Sequence, residues 1–433
     1  MQKSLNKALP ELLDAGVIDD ETVARIEEYY HSNSKDTSSY SILVFSVLGA
    51  IIVGLGLVLI IAHNWDAFPK NIRLLFTFLP LLASQIFVWI AIKKHRYRRP
   101  IIESSSLLLF FAIPACISLV SQIYHINGQL EDFLLLWLLL SWPLIFVPGA
   151  NIVSLLFVII STWYACQITY FTFRGPVPWL YWALILIPIA KYARDIYKDN
   201  FKRYRAISGW IIAISLTLVL GGFSAQFKSI MTPAYLLFFG LILILHSAFI
   251  TSQDNSWWMN PWRSNGKIGV AIVALILSFG FFWQELPHYN SLTTNLLNST
   301  DSISFITLLL MLIVGIWYLK RYKHEKFLNI FPELPAVIVL VLIYGAGFFM
   351  PMAGQLLSNL ALLAMGVFYI FFGYQRFDLS RANYGMVLIT SLAIARFFDA
   401  ELSFVLRGSM FVLVGLGFFM ANFFIIKKQK AKG

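Results

Sequence analysis

Four polar side chains, Ser118, Ser121, Gln122 and His125, are spaced i, i+3, i+4 and i+7 at the end of an otherwise apolar run. On a helix that spacing stacks them on one face. A hydrated cavity is lined in this way, and so is a seam of interhelical hydrogen bonds. Gln355, Ser358 and Asn359 repeat the theme more weakly, and Thr162, Cys166 and Thr169 give a third stripe. Ionisable residues gather near the same ends of the apolar runs: His63, Asp66, Arg73, His125, Glu285, His288, Arg396, Asp399, Glu401 and Arg407. Arg407 stands about five residues inside the last run, which at ~1.5 Å per residue is ~8 Å deep. A guanidinium at that depth snorkels or pairs with a carboxylate such as Asp66, Asp399 or Glu401. The expected site is therefore one outward-facing polar cavity formed by Asp66, Ser118, Ser121, Gln122, His125, Glu285, Asp399, Glu401 and Arg407. It would take a lipid headgroup or a small polar solute. In an enzyme, Asp66 or Glu285 would act as base with His125 or His288 assisting. Asp66 can equally cap backbone amides of the first outer loop.

Other chemistry lacks its signatures. There is no G-x-x-x-x-G-K-[ST], H-E-x-x-H or G-x-S-x-G, so nothing marks ATP hydrolysis, zinc proteolysis or serine hydrolysis. Gly54 and Gly56 follow no strand and fit close helix packing. Cys116 and Cys166, 50 residues apart in apolar segments, form no metal or disulfide motif. His246 in mid-run suits packing or a proton relay. No cofactor and no metal are expected.

These residues have to be positioned by membrane helices. Of 433 residues, 59% are hydrophobic and 13% charged, with a mean hydropathy of +0.73, against ~25% charged in soluble domains. Apolar runs fall at roughly 41–63, 73–92, 104–124, 133–148, 152–173, 177–191, 206–225, 232–250, 268–283, 303–319, 334–350, 356–374, 383–396 and 402–426. The expectation is an all-α polytopic transmembrane helix bundle of 12–14 spans. The shorter runs are tilted, re-entrant or kinked at Pro143 or Pro188. Ahead of them, Leu5, Leu9, Leu12 and Leu13, the turn Gly16-Val17-Ile18, and Asp19 or Asp20 as N-cap before Val23 and Ile26 predict a short helical hairpin. Three regions follow: a cytosolic hairpin over 1–39, the bundle over 40–426 and a basic cytosolic tail over 427–433. The start of the chain lacks the apolar core of a signal peptide, so the first span is expected to direct insertion.

Net charge is +11, and topology explains it better than nucleic acid does, because cytoplasmic loops accumulate Lys and Arg. With the N-terminal segment inside, inside segments hold 27 of the 33 basic residues and outside loops hold 5. Both termini are thus expected in the cytoplasm. Ser256-Trp257-Trp258 and Trp262 read as interfacial anchors.

The hairpin followed by LGAIIVGLGLVLIIAHNWDAFPKNIRLLFTFLPLL, with Asn64-Trp65-Asp66 closing the first span, resembles the bacterial membrane-protein family known as domain of unknown function 2157. The last span, from Leu406-Arg407-Gly408 to Gly415-Leu416-Gly417, looks like that family's C-terminal Arg-then-Gly span. The resemblance implies a bacterial inner-membrane protein and supplies no reaction. Three functions stay open: a transporter-like or envelope-sensing protein, a membrane-embedded transferase acting on a lipid-linked substrate, and a structural partner of another membrane protein. The expected partner in each case is the lipid bilayer, not nucleic acid.

Overall fold

The computed structural model describes residues 65–94, 99–171, 178–197, 202–224, 228–249, 257–284, 333–376 and 378–397, with isolated positions between 12 and 26, at 286, and between 405 and 420. Among these residues the chain is helical and contains no strand. Among the described residues five helices are long and apolar enough to cross a membrane. The expected all-helical membrane bundle is what the chain forms.

The chain divides into two units between Leu79 and Pro80, inside helix α1 (Lys70–Lys94). In the first unit, Gly16 sits at φ +66, in the left-handed region where a side chain clashes with the backbone. Val17 N–H bonds the Leu12 carbonyl and Gly16 N–H that of Leu13, both at 3.0 Å. That pair of bonds ends the helix that holds Leu12 and Leu13. Asp19 serves as N-cap of the second helix: its Oδ1 accepts the Thr22 N–H at 3.1 Å, and Asp20 lies outside the described residues. Further on, a 3-10 turn at Trp65–Ala67 leads into α1. There Arg73 Nε donates to the Phe68 carbonyl at 2.8 Å and the Phe68 and Phe76 rings lie 5.7 Å apart.

The second unit begins with the rest of α1 and continues with α2 (Arg99–Tyr124), α3 (Leu130–Ser141), α4 (Asn151–Cys166), α5 (Trp179–Tyr197), α6 (Lys202–Ser224) and α7 (Lys228–Phe249). It ends with α8 (Pro261–Leu277), α9 (Gly280–Gln284), α10 (Glu333–Phe349), α11 (Pro351–Arg376) and α12 (Leu379–Phe397). The kink expected at Pro143 takes the form of a change of helix type: α3 ends and a 3-10 turn runs from Trp142 to Phe146. Pro188 is instead accommodated within α5. Beyond α4 the helix widens to a π turn over Gln167–Phe171.

Three adjoining cores hold this unit. Phe110, Leu134, Leu138 and Phe157 join α2, α3 and α4. Tyr181, Ile185 and Ile212 join α5 to α6, with Val158 of α4. Leu236, Phe239, Leu277, Leu340 and Leu362 join α7, α8, α10 and α11. The outside is apolar as well: Leu342, Phe349, Met352 and Leu186 are exposed. In lipid such burial supplies no hydrophobic drive, so close packing and interhelical hydrogen bonds hold the helices. At α11 and α12 the backbones touch, because a Cβ on Gly385 would lie 2.5 Å from the Gly366 carbonyl oxygen. The runs at 41–63 and 303–319 lie outside the described residues.

Candidate functional site

A cavity of about 310 Å³ opens where α8 and α12 begin. The local sequence explains its walls. Pro261 starts α8, since a first-turn residue needs no N–H partner. Arg263 and Lys267 then fall four residues apart, on one face. On the facing helix, Asp378 caps α12 by accepting the Arg381 N–H at 3.2 Å, and its other oxygen pairs with Arg381 Nε at 2.8 Å. Asn383 and Tyr384 continue that wall.

Lys267 is half-buried, one and a half turns into α8, and its Nζ stands 5.3 Å from the Tyr369 ring and 5.7 Å from the Tyr384 ring. The two rings meet edge to face at 4.8 Å. Such a cage holds an ammonium by cation–π attraction. Tyr384 also donates its hydroxyl to the Lys267 carbonyl at 2.9 Å. Among the described lining residues three are cations, Arg263, Lys267 and Arg381, and one is a carboxylate, Asp378. A field of this sign attracts anions.

Hydrogen bonds carry the same end of the bundle sideways from the cavity. Trp262 Nε1 donates to the Tyr192 hydroxyl at 2.8 Å and Trp210 Nε1 to the Trp258 carbonyl at 2.9 Å. Lys191 Nζ reaches the Ala150 carbonyl at 3.0 Å, and Tyr204 reaches that of Asn151 at 3.3 Å. Glu103 accepts the N–H groups of Asn151 and Ile152 at 2.8 and 3.0 Å. The start of α2, α4, α6 and α8 and the end of α5 therefore share one face of the unit, and it is rich in basic residues.

A polar thread crosses between the cores. Ser215 bonds both Thr162, at 2.5 Å, and Tyr181, at 2.6 Å. Two residues on, Thr217 accepts from Asn265 Nδ2 at 3.2 Å and its carbonyl accepts from Tyr235 at 2.9 Å. At the far end of α8 the helix breaks at Ser278 and Phe279. Arg396 Nη2 and Asn359 Nδ2 both donate to the Ser278 carbonyl, at 2.8 and 3.1 Å. Trp283 Nε1 takes the Leu277 carbonyl at 2.8 Å.

The nine residues of the expected outward cavity fare differently. Ser118, Ser121, Gln122 and His125 lie at the end of α2, where Ser118, Gln122 and His125 are exposed and Ser121 Oγ donates to the Ile126 carbonyl at 2.7 Å. Asp66 falls in the 3-10 turn before α1, its side chain outside the described residues. Glu285, Asp399, Glu401 and Arg407 lie outside the described residues too, as do His63, His288 and the His246 side chain. Of the other two stripes, Asn359 donates to the Ser278 carbonyl that Arg396 also bonds, and Thr162 meets Ser215 while Thr169 bonds the Ala165 carbonyl at 2.8 Å. Among the described residues no group of three His, Cys, Asp or Glu could hold a metal.

The residues that sequence reasoning passed over are Arg263, Lys267 and Arg381, which it assigned to loops. Helix α8 starts seven residues before the apolar run at 268, so two of these cations line a cavity wall. The available signal was the i, i+4 spacing of Arg263 and Lys267 directly after the N-cap and proline, Asn260-Pro261.

Fold and surface together define a multi-pass helical membrane protein, in contact with the lipid bilayer along its apolar exterior. Residues 10–154 match the family described as Predicted membrane protein (DUF2157), the family that the first spans resemble. No curated protein and no solved structure matches the chain.

Proposed function

We propose that the chain is a transporter-like protein of the bacterial inner membrane, with both termini and the basic helix ends in the cytoplasm. Its working route would follow α8, between the cavity at the start of that helix and the break at its end. The observation that carries this reading is the interruption of α8 at Ser278. Irregular backbone at membrane depth is tolerated only where protein buries it or a hydrated space adjoins it, and discontinuous helices are a recurrent device of transporters. The polar thread through Thr217 and Asn265 supports it, because Asn265 lies on α8 level with the cavity wall, between Ser264 and Lys267. The basic residues around Lys191, Arg263 and Arg381 support the orientation through the positive-inside rule.

Site-directed labelling tests this without knowledge of the solute. In a chain with Cys116 and Cys166 replaced by alanine, single cysteines are placed at Ser264, in the cavity wall, at Gln355, beside Gly280, and in the tail after Lys428. An impermeant maleimide should modify Ser264→Cys and the tail cysteine only from the cytoplasmic side, and Gln355→Cys only from the other. Labelling of Ser264→Cys from outside alone would invert the topology. Protection of both helix positions from both sides would remove the route.

A further inference from the structure

We infer that the exposed seam Leu82, Gln85, Trp89 and Ile92 of α1 is an interface between two copies of this chain, with the two Gln85 amides bonded to one another inside the bilayer. The inference stands apart from the route along α8.

The second half of α1 has two unlike faces. Ser84, Val88 and Ala91, at i, i+4 and i+7, are buried, and Val88 joins the core of α2, α3 and α4. Leu82, Trp89 and Ile92 are 55%, 59% and 39% exposed, and Gln85 is exposed among them. Apolar side chains need no cover in lipid. An amide does, since hydrocarbon offers it no hydrogen-bond partner.

Gln85 is also far from water. Lys70 and Lys93 stand near the two ends of the helix, which at ~1.5 Å per residue puts Gln85 ~22 Å from the first and ~12 Å from the second. Its side chain is too short to snorkel over either distance. Among the described residues its amide makes no hydrogen bond.

Depth selects a second copy as the partner. Copies inserted in the same direction bring Gln85 to the same level, whereas an unrelated protein has to carry a polar group at that depth. The amide is its own complement, because its NH2 donates and its carbonyl accepts. A two-fold axis along the membrane normal therefore lets each glutamine give one bond and take one. Spacing supports the same arrangement. Positions 82, 85, 89 and 92 step by three, four and three, the repeat of a left-handed helix pair, which is the usual crossing in membranes. A single polar residue in such a seam fixes register and copy number. Next to the seam, Lys93 Nζ lies 4.8 Å from the centroid of the Trp89 ring and steadies it by cation–π attraction.

The test uses the full-length chain with Cys116 and Cys166 replaced by alanine. Single cysteines at Leu82, on the seam, and at Phe87, 54% exposed on another face, are oxidised in the membrane with copper phenanthroline. Leu82→Cys should give a disulfide-linked band at twice the chain mass, and Phe87→Cys should give none. In a second measurement the purified protein carries fluorophores on a tail cysteine, and energy transfer between copies in liposomes is followed as added lipid dilutes them. Gln85→Leu should weaken association about tenfold, the size of an interhelical amide contact, and Gln85→Asn, which keeps an amide, should weaken it less. Leucine is a good helix former and at home in lipid, so the variant keeps its fold, which circular dichroism checks. No energy transfer above that of random mixing in wild type, equal cross-linking at Leu82 and Phe87, or undiminished association of Gln85→Leu overturns the proposal. A Leu82→Cys adduct of any other mass would give the face to a different protein. A Leu82→Cys that neither cross-links nor reacts with a lipid-soluble maleimide would give it to another segment of the same chain. Either result overturns the pairing of two copies.

Discussion

The carboxylate of Glu103 on α2 accepts the backbone N–H of Asn151, 48 residues away, at 2.8 Å, and that of Ile152 at 3.0 Å. One side chain thus closes the first turn of α4 from a neighbouring helix. A carboxylate at this position satisfies two N–H groups that the helix cannot pair internally and faces the positive end of the helix dipole.

Replacing Glu103 with alanine should cost about 2 kcal/mol, the upper range for a lost cap, because both N–H groups are left without it. Glu103→Gln keeps one acceptor oxygen and should lose about half as much. Unfolding in mixed detergent micelles, followed by tryptophan fluorescence, measures both. An alanine variant as stable as wild type would show that water serves the α4 terminus equally well.

A second consequence concerns His125, which stands at φ +51. Its N–H bonds the Gln122 carbonyl at 3.4 Å, and Ile126 N–H bonds that of Ser121 at 2.9 Å. This is the same two-bond ending that Gly16 makes in the hairpin. A side chain in the left-handed region is disfavoured by ~1–2 kcal/mol, so His125→Gly should stabilise the protein by up to ~1 kcal/mol after the greater entropy of glycine is subtracted. A loss of stability in the same unfolding assay would mean that the imidazole makes a stabilising contact.

The helix periods, the hairpin turn and the stripe ending at His125 were legible because they depend on local spacing. What the stripe faces was not. A spacing of i, i+3, i+4, i+7 states that side chains share a face and is silent on what lies opposite it. Ser118 and Gln122 are exposed at a helix end, where water competes for them, while Asn359, on a weaker stripe, meets Ser278 across 81 residues. Arg263 and Lys267 were hidden for a related reason. Charges shorten an apolar window, so hydropathy ended α8 at Ile268, whereas backbone bonding carries the helix back to Pro261. Glu103 is invisible for lack of any local partner.

At the hairpin, hydrogen bonds from the Thr22 side chain and then its N–H hold the Asp19 carboxyl below the usual carboxylate range. A carboxyl whose pKa is lower in the folded state stabilises that state above its unfolded value, and the contribution disappears as pH falls through the folded one. The second hairpin helix should therefore fray in acid, beginning as pH approaches ~3.9. Amide exchange at Thr22 and Val23 in the full-length chain should accelerate over that window. In Asp19→Asn, which caps without titrating, protection should be independent of pH there. An identical acid response in both proteins would assign the fraying to another group.

The break in α8 allows a stricter measurement. Arg396 Nη2 and Asn359 Nδ2 donate to the same Ser278 carbonyl, at 2.8 and 3.1 Å, from α12 and α11. A carbonyl oxygen has two lone pairs, so either donor alone keeps it satisfied and removal of both leaves it orphaned. Asn359→Ala should cost ~0.5–1.5 kcal/mol and Arg396→Met ~1.5–3 kcal/mol, the difference being the charge on the donor. The double variant should cost more than the two together by at least ~0.5 kcal/mol, the coupling expected of groups that share a partner. Additive costs would mean that the two donors act independently, with water taking the vacated lone pair. That outcome would also place water at the end of α8, which is what a hydrated route beside the break requires.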